Sequence, residues 1–225
     1  MENTKVWASV AAERIALSDV LLKSDDAAWD APSLCGGWRV REVVAHLVVL
    51  AEAKSRFAFL ARGMLVDPRP NRSIDKMARR TAMDATPEEL CARLRSACDG
   101  RFVVPGMPNV VALGEVLVHR ADISEAAGLP VHPADDTLRA ALEAELKLWF
   151  AFGVSPKARK NRYVATDGGW SVGPRGGSVI EARARNYFEL LPDVEARCEG
   201  SLRPEARKSP ARRRGLFNTS TAYAV

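Results

Sequence analysis

Three histidines occur in the 225-residue sequence, and one lies in Gly114-Glu115-Val116-Leu117-Val118-His119-Arg120-Ala121-Asp122. Read as a helix, this segment puts Glu115, His119 and Asp122 at i, i+4 and i+7, on one face. The intervening valines, leucine and alanine are apolar enough for that face to be buried. A buried carboxylate and imidazole then need hydrogen bonds, an ion pair or a metal. E-x-x-x-H alone is also the ordinary i,i+4 pair of an exposed helix, so the spacing by itself leaves both readings open.

His46 changes the balance. It falls in a stretch read as one helix from about Val40 to Arg62, with Val43, Val49, Leu50, Ala53 and Phe57 at helical spacing around it. That pattern points the imidazole toward an apolar core. Helix bundles build metal sites from inward-facing side chains on facing helices. His46, Glu115 and His119 form the set His₂Glu, and three protein ligands leave a position open, the arrangement of catalytic zinc. Nickel, manganese and iron take the same ligand types. Asp122, one turn further along, either orients a ligand or acts on substrate protons, or else forms a cap or a salt bridge with Arg120 or Arg41. His132, between Pro130 and Pro133, reads as an exposed loop residue. Cys35 precedes two glycines and could line a cleft. With no base or cation beside it in sequence, a buried inert thiol is expected.

The elements that must position these groups are mostly helical. Trp7, Val10, Leu17 and Leu21 mark a first helix from about Thr4 to Ser24. A turn-rich connector, Trp29 to Trp38, leads to the helix of His46. After Pro68 and Pro70 a helical segment runs from about Ser73 to Met83. Thr86-Pro87-Glu88-Glu89 then reads as an N-cap, a proline at the first helical position and the acid of a capping box. Leu90, Leu94, Ala97 and Cys98 form the packing face of that helix. The helix of Glu115 and His119 follows Pro105–Asn109 and stops at Gly128 and Pro130. Four principal helices and one shorter one are expected before about residue 130, with a further helix from Pro133 to Phe152. Tyr163–Thr166, Asp167-Gly168-Gly169 and Trp170–Val172 predict a hairpin, and Ser178–Leu191 a strand running into a helix.

Composition narrows the function classes. The 47% hydrophobic content supports an ordinary globular core, and no apolar run reaches membrane-spanning length. The four cysteines show no C-x-x-C spacing, so free thiols in the cytoplasm are expected rather than a disulfide framework. Cys91 and Cys98, seven apart, suggest one small buried face. The formal charge of +5 invites a nucleic-acid reading, yet six bases and one acid between Ser201 and Arg214 supply all of it. Residues 1–200 are neutral, and the basic tail is expected to be disordered. Nucleic acid is expected as a partner, if at all, only through that tail. There are no internal repeats and no phosphate- or dinucleotide-binding glycine motif.

These residues amount to a resemblance. Trp29…Pro32-Ser33-x-Cys35-x-Gly37-Trp38-x-Val40-x-x-x-x-Ala45-His46-Leu47, followed by Ala112-Leu113-Gly114-Glu115-x-x-x-His119-x-x-Asp122-Ile123, is similar to the mycothiol-dependent maleylpyruvate isomerase family of the DinB/YfiT-like metalloenzymes. The similarity spans about residues 5–150. It implies a mainly α fold: a DinB-like four-helix bundle (1–152), a small α/β C-terminal region (153–197) and the basic tail (198–225). It carries the metal triad onto His46, Glu115 and His119, and the family's activity-linked aspartate onto Asp122. Relatives hold a substrate-binding arginine in their C-terminal domain, which no particular one of Arg183, Arg185 and Arg197 matches. Beyond Cys198 the likeness ends.

The expectation is a metal-dependent enzyme, with zinc as the first choice of divalent ion and mycothiol as the implied thiol. The ion deprotonates the thiol, and the thiolate attacks a small electrophile, giving S-transfer or isomerisation. Asp122 would help proton movement. The alternative is a non-catalytic metal-binding or regulatory module.

Overall fold

The computed structural model describes residues 1–129, 133–149 and 156–183. His132, the helical half of Ser178–Leu191 and the basic tail lie outside them. The helices are α1 (Asn3–Leu21), α2 (Asp26–Asp30), α3 (Val40–Ala51), α4 (Arg56–Val66), α5 (Pro70–Met83), α6 (Pro87–Ser96), α7 (Val110–Ala127) and α8 (Asp135–Lys147). The chain is mainly α, with a small sheet in its C-terminal region.

Four helices form a ring. α1 packs on α6 and α7, and α3 packs on the same two, which makes a four-helix bundle. α5 lies on the outside of α3, α4 lies on α5, and α8 covers α7. The interior holds Val10, Leu17, Val44, Leu47, Leu90, Leu94, Leu113 and Leu117, all almost fully buried. Because α1, α3 and α8 all pack against α7, its residues from Val111 to Ile123 are buried on nearly every face, the sole exception being half-buried Glu115.

Local signals account for the ends of these helices. Thr86 Oγ1 accepts from Glu89 N at 3.2 Å and Glu89 Oε2 accepts from Thr86 N at 2.8 Å, the expected capping box. α7 closes on Gly128, which takes φ +64°, and Leu129 N donates to the Ser124 carbonyl. At the start of α3, Arg39 N donates to Glu42 Oε2 at 2.7 Å, supplying a partner for an amide near the helix start.

Three expectations need correction. The helix of His46 does not continue to Arg62; it stops at Ala51. A new helix starts at Ser55, whose hydroxyl accepts from Ala58 N at 3.3 Å. Phe57 therefore lies on α4 and is 81% exposed instead of facing the core. Second, the connector before His46 is not all turn: Asp25 caps the short α2, which buries Trp29. Third, α5 begins at Pro70, three residues earlier than read, with the proline in the first turn where its missing N–H costs nothing.

The hairpin forms where expected. β1 (Arg162–Ala165) pairs antiparallel with β2 (Trp170–Val172), with Tyr163 opposite Val172 and Ala165 opposite Trp170. β3 (Val179–Ala182) joins β1 in parallel, giving the order β2-β1-β3. β2 packs against α8, and Tyr163, Ala165 and Val172 share the core with the bundle. Among the described residues no helix is long and apolar enough to cross a membrane.

One backbone contact ties the bundle to the connector before α7. A Cβ on Gly100 would stand 1.9 Å from the Ala51 carbonyl oxygen at the end of α3. Only glycine lets the connector lie that close. Gly100→Ala is expected to destabilise the protein by about 1–3 kcal/mol, as overpacking does. Gly36→Ala, which meets nothing within 4 Å, should stay within about 0.5 kcal/mol. Urea midpoints of the two variants measure this, and equal midpoints would contradict the close contact.

Candidate metal centre

The packing of α3 on α7 brings His46 to Glu115 and His119. Glu115 Oε1 lies 2.8 Å from His46 Nε2 and 3.2 Å from His119 Nε2, so one carboxylate oxygen sits between two imidazoles. The ring centroids of the histidines are 5.0 Å apart and edge-on. Both histidines are 1% exposed. Ligand atoms of the three residues all lie within 4.8 Å of one another.

The far side of His119 is equally specific. Its Nδ1 lies 3.1 Å from Asp122 Oδ2, and the same oxygen accepts from the Cys35 thiol at 3.0 Å. With the proton on Nδ1, as donation to Asp122 requires, the lone pair of Nε2 faces Glu115. Two acceptors 3.2 Å apart then repel unless a proton or a cation lies between them. Glu115 and Asp122 are two buried carboxylates with two imidazoles, and no lysine or arginine pairs with them among the described residues. A divalent cation meets both demands, and the carboxylate–histidine arrangement is the usual support of a metal ligand. The residues fit the ion.

The electrostatics follow from this crowding. Burial pulls His46 below the usual imidazole value, against the opposing hydrogen bond from Glu115. Burial would raise Glu115, but the two imidazoles beside its carboxylate outweigh that and hold it at about 2. His119 is pulled down by burial and lifted more strongly by Cys35, Asp122 and Glu115, ending well above the usual range. Cys35 is pushed up to about 12, by burial first and by Asp122 next. It is a thiol, not a thiolate.

Asp122 is 0% exposed and sits behind His119. Neither suggested salt bridge forms: Arg120 pairs with Glu13, and Arg41 with Asp30. Sequence reasoning missed the Cys35–Asp122 hydrogen bond, which joins residues 87 positions apart. The trio Cys35, His119 and Asp122 also has close ligand atoms. All three are buried, and its thiol already donates to its carboxylate.

His46 and Glu115 open onto a cavity of about 270 Å³ between α3, α4, α5 and α7. Phe59, Leu60, Met77 and Phe102 give it apolar walls. Trp38 stands beside His46 with ring centroids 5.4 Å apart. Its Nε1 donates to Asp75 Oδ1 at 2.7 Å, which ties the loop before α3 to α5.

Comparisons with known proteins follow the same residues. The sequence family described as "Mycothiol maleylpyruvate isomerase N-terminal domain" matches residues 10–124. A crystal structure of the mycothiol-dependent maleylpyruvate isomerase is similar in fold, with a TM-score of 0.50 at 16% identity, over 82% of this chain and 86% of that one. A variant of that enzyme with one histidine replaced by alanine matches with the same score at 15% identity and the same coverage. No curated protein matches by sequence.

The burial of the thiols has a direct readout. Brief iodoacetamide treatment of the folded chain is expected to modify half-buried Cys98 and to leave Cys35 and Cys91 intact, with peptide mass spectrometry as the assay. Labelling of Cys35 as fast as Cys98 would mean the space behind His119 is open to solvent.

Proposed function

Because the chain belongs to the family of the mycothiol maleylpyruvate isomerase N-terminal domain, we propose that it is a metal-dependent enzyme acting on a small electrophile with a low-molecular-weight thiol. The reaction is S-transfer or isomerisation, and mycothiol is the thiol by family. The observation that carries this reading is the convergence of His46, Glu115 and His119 at the edge of an apolar cavity.

His46, Glu115 and His119 would hold the ion, zinc being the first choice for two imidazoles and a carboxylate. When bound, the ion supplies acidity, so that a coordinated thiol is deprotonated near neutral pH. Asp122 fixes the His119 tautomer by accepting from Nδ1, and Cys35 donates to Asp122. Asp122 is therefore assigned as a positioning residue rather than a group that touches substrate. The apolar walls exclude water, which strengthens charge interactions inside the cavity and protects a reactive sulfur. The proposed domain division keeps residues 1–152 as the metal-binding unit. The proposed setting is the cytoplasm, where free thiols such as Cys35 and Cys91 persist.

Purified protein is expected to carry about one equivalent of divalent metal. His119→Ala should lose it with an unchanged helical spectrum, as measured by elemental analysis and circular dichroism. Full metal content in that variant would remove the triad from consideration. Metal-loaded protein should also accelerate the reaction of a thiol with an electrophilic probe over metal-free protein. Equal rates would leave a metal-binding module without turnover.

A further inference from the structure

Five of the nine exposed large apolar side chains among the described residues lie on α4: Phe57, Leu60, Met64, Leu65 and Val66. The other four, Met1, Leu22, Met83 and Val179, are spread over the chain. α5 is the principal neighbour of α4, so much of the helix surface is left uncovered. At about 100° per residue, Leu60, Met64, Phe57, Ala61 and Leu65 follow one another around an outward arc of about 140°. Phe59 and Gly63 hold the opposite side. There the Phe59 ring meets Phe102 at 4.4 Å between centroids, and the Gly63 carbonyl accepts from Ser73 Oγ. The arc has the composition of a core, yet Leu65 is 89% and Met64 69% exposed. Apolar side chains grouped in this way mark a surface that meets something.

The charge around the arc is of one sign. Arg56 and Arg62 flank it, one at each edge, and α4 contains no acid. From Glu52 to Asp84 the chain carries eight bases and four acids. Every one of those acids is in an ion pair: Glu52 with Arg93, Asp67 with Lys76, Asp75 with Arg79 and Asp84 with Arg80. Lys54, Arg56, Arg62, Arg69 and Arg72 are exposed and form no ion pair among the described residues. Lys54 and Arg56 precede the apolar arc, Arg62 edges it, and Arg69 and Arg72 follow it.

We propose that this outer face of α4 docks peripherally on an anionic lipid bilayer. An apolar helix face with bases along its edges lies in the plane of the membrane interface, its apolar side chains at the acyl boundary and its guanidinium groups at the phosphates. The unpaired bases choose the sign of the surface. A second copy would set five such bases against five, which opposes self-association through this face. A helix standing on one main neighbour forms a ridge, and a bilayer yields to a ridge where a folded partner needs a matching groove. The contact stops at the interface, because no helix among the described residues is long and apolar enough to cross a membrane. Leu60 and Met64 belong both to the arc and to the cavity wall, so α4 would stand between lipid and cavity. Nothing in this surface depends on the metal or the thiol.

The test is sedimentation of the full-length chain with vesicles of phosphatidylcholine alone, and of phosphatidylcholine with phosphatidylglycerol at roughly two to one. Wild type is expected to bind the anionic vesicles about tenfold more tightly than the neutral ones. Phe57→Ser with Leu65→Ser, two changes at exposed positions, should weaken anionic binding about tenfold with an unchanged circular dichroism spectrum. Should that pair not fold, Phe57→Ser alone is read in the same way. Leu22→Ser, exposed at the end of α1, should bind as wild type does. Arg56→Gln with Arg62→Gln should narrow the gap between the two vesicles. Failure of wild type to bind overturns the proposal. So does anionic binding that survives the serine pair, because the basic segment from Ser201 to Arg214 is then sufficient. Wild type that ignores vesicles but forms a dimer dissolved by the serine pair, in light scattering, overturns it and makes a second copy the occupant. Retention by soluble polyglutamate as tight as by vesicles overturns it in favour of an acidic protein.

Discussion

The organising constraint is the burial of ionisable groups at the seam between α3 and α7. α7 is enclosed by α1, α3 and α8, so Glu115, His119, Arg120 and Asp122 have little or no water to turn to. Each has to find its partner inside the protein. Glu115 finds two imidazoles, Asp122 finds His119 and a thiol, and Arg120 finds Glu13. A helix that packed on only one neighbour could have kept the same residues solvated and unremarkable. The bundle makes them a site because the cost of leaving such groups unmatched is several kcal/mol, roughly half the stability of a small domain.

How far the sequence could be read depended on whether a feature was local. The i, i+4, i+7 face, the Thr86 cap, the Gly128 stop and the D-G-G hairpin are set by residues within a turn or two of one another, and all four appear. His46 was legible because apolar neighbours at helical spacing point one way. The same periodicity overran the break after Ala51, since Ala53 and Phe57 keep the spacing although the backbone turns at Ser55. Nothing local to Cys35 or Arg14 marks their contacts, because the partners lie 84 to 87 positions away. Periodicity carries no information about such pairs.

Family membership and geometry bear on different parts of the chain. The matched residues, 10–124, include all three candidate metal ligands, Asp122, Cys35 and Arg14. The small sheet beyond α8 packs on the bundle through Tyr163 and Val172 but contributes no side chain to the cavity among the described residues. The chemistry proposed here is therefore contained in the helical part, with its polar groups at one end and its apolar wall supplied by α4, α5 and the segment around Phe102.

The close approach at Gly100 bears on the frame of that cavity. The connector rests on the Ala51 carbonyl, one and a half turns beyond His46 in α3. Its own carbonyls at Cys98 and Gly100 grip Arg14. Imidazole and guanidinium are thus joined through main-chain contacts, so the distance between the two polar ends is a property of the backbone. Packing of this kind fixes the spacing of the two side chains by main-chain contact, so it does not relax when a neighbouring side chain changes rotamer.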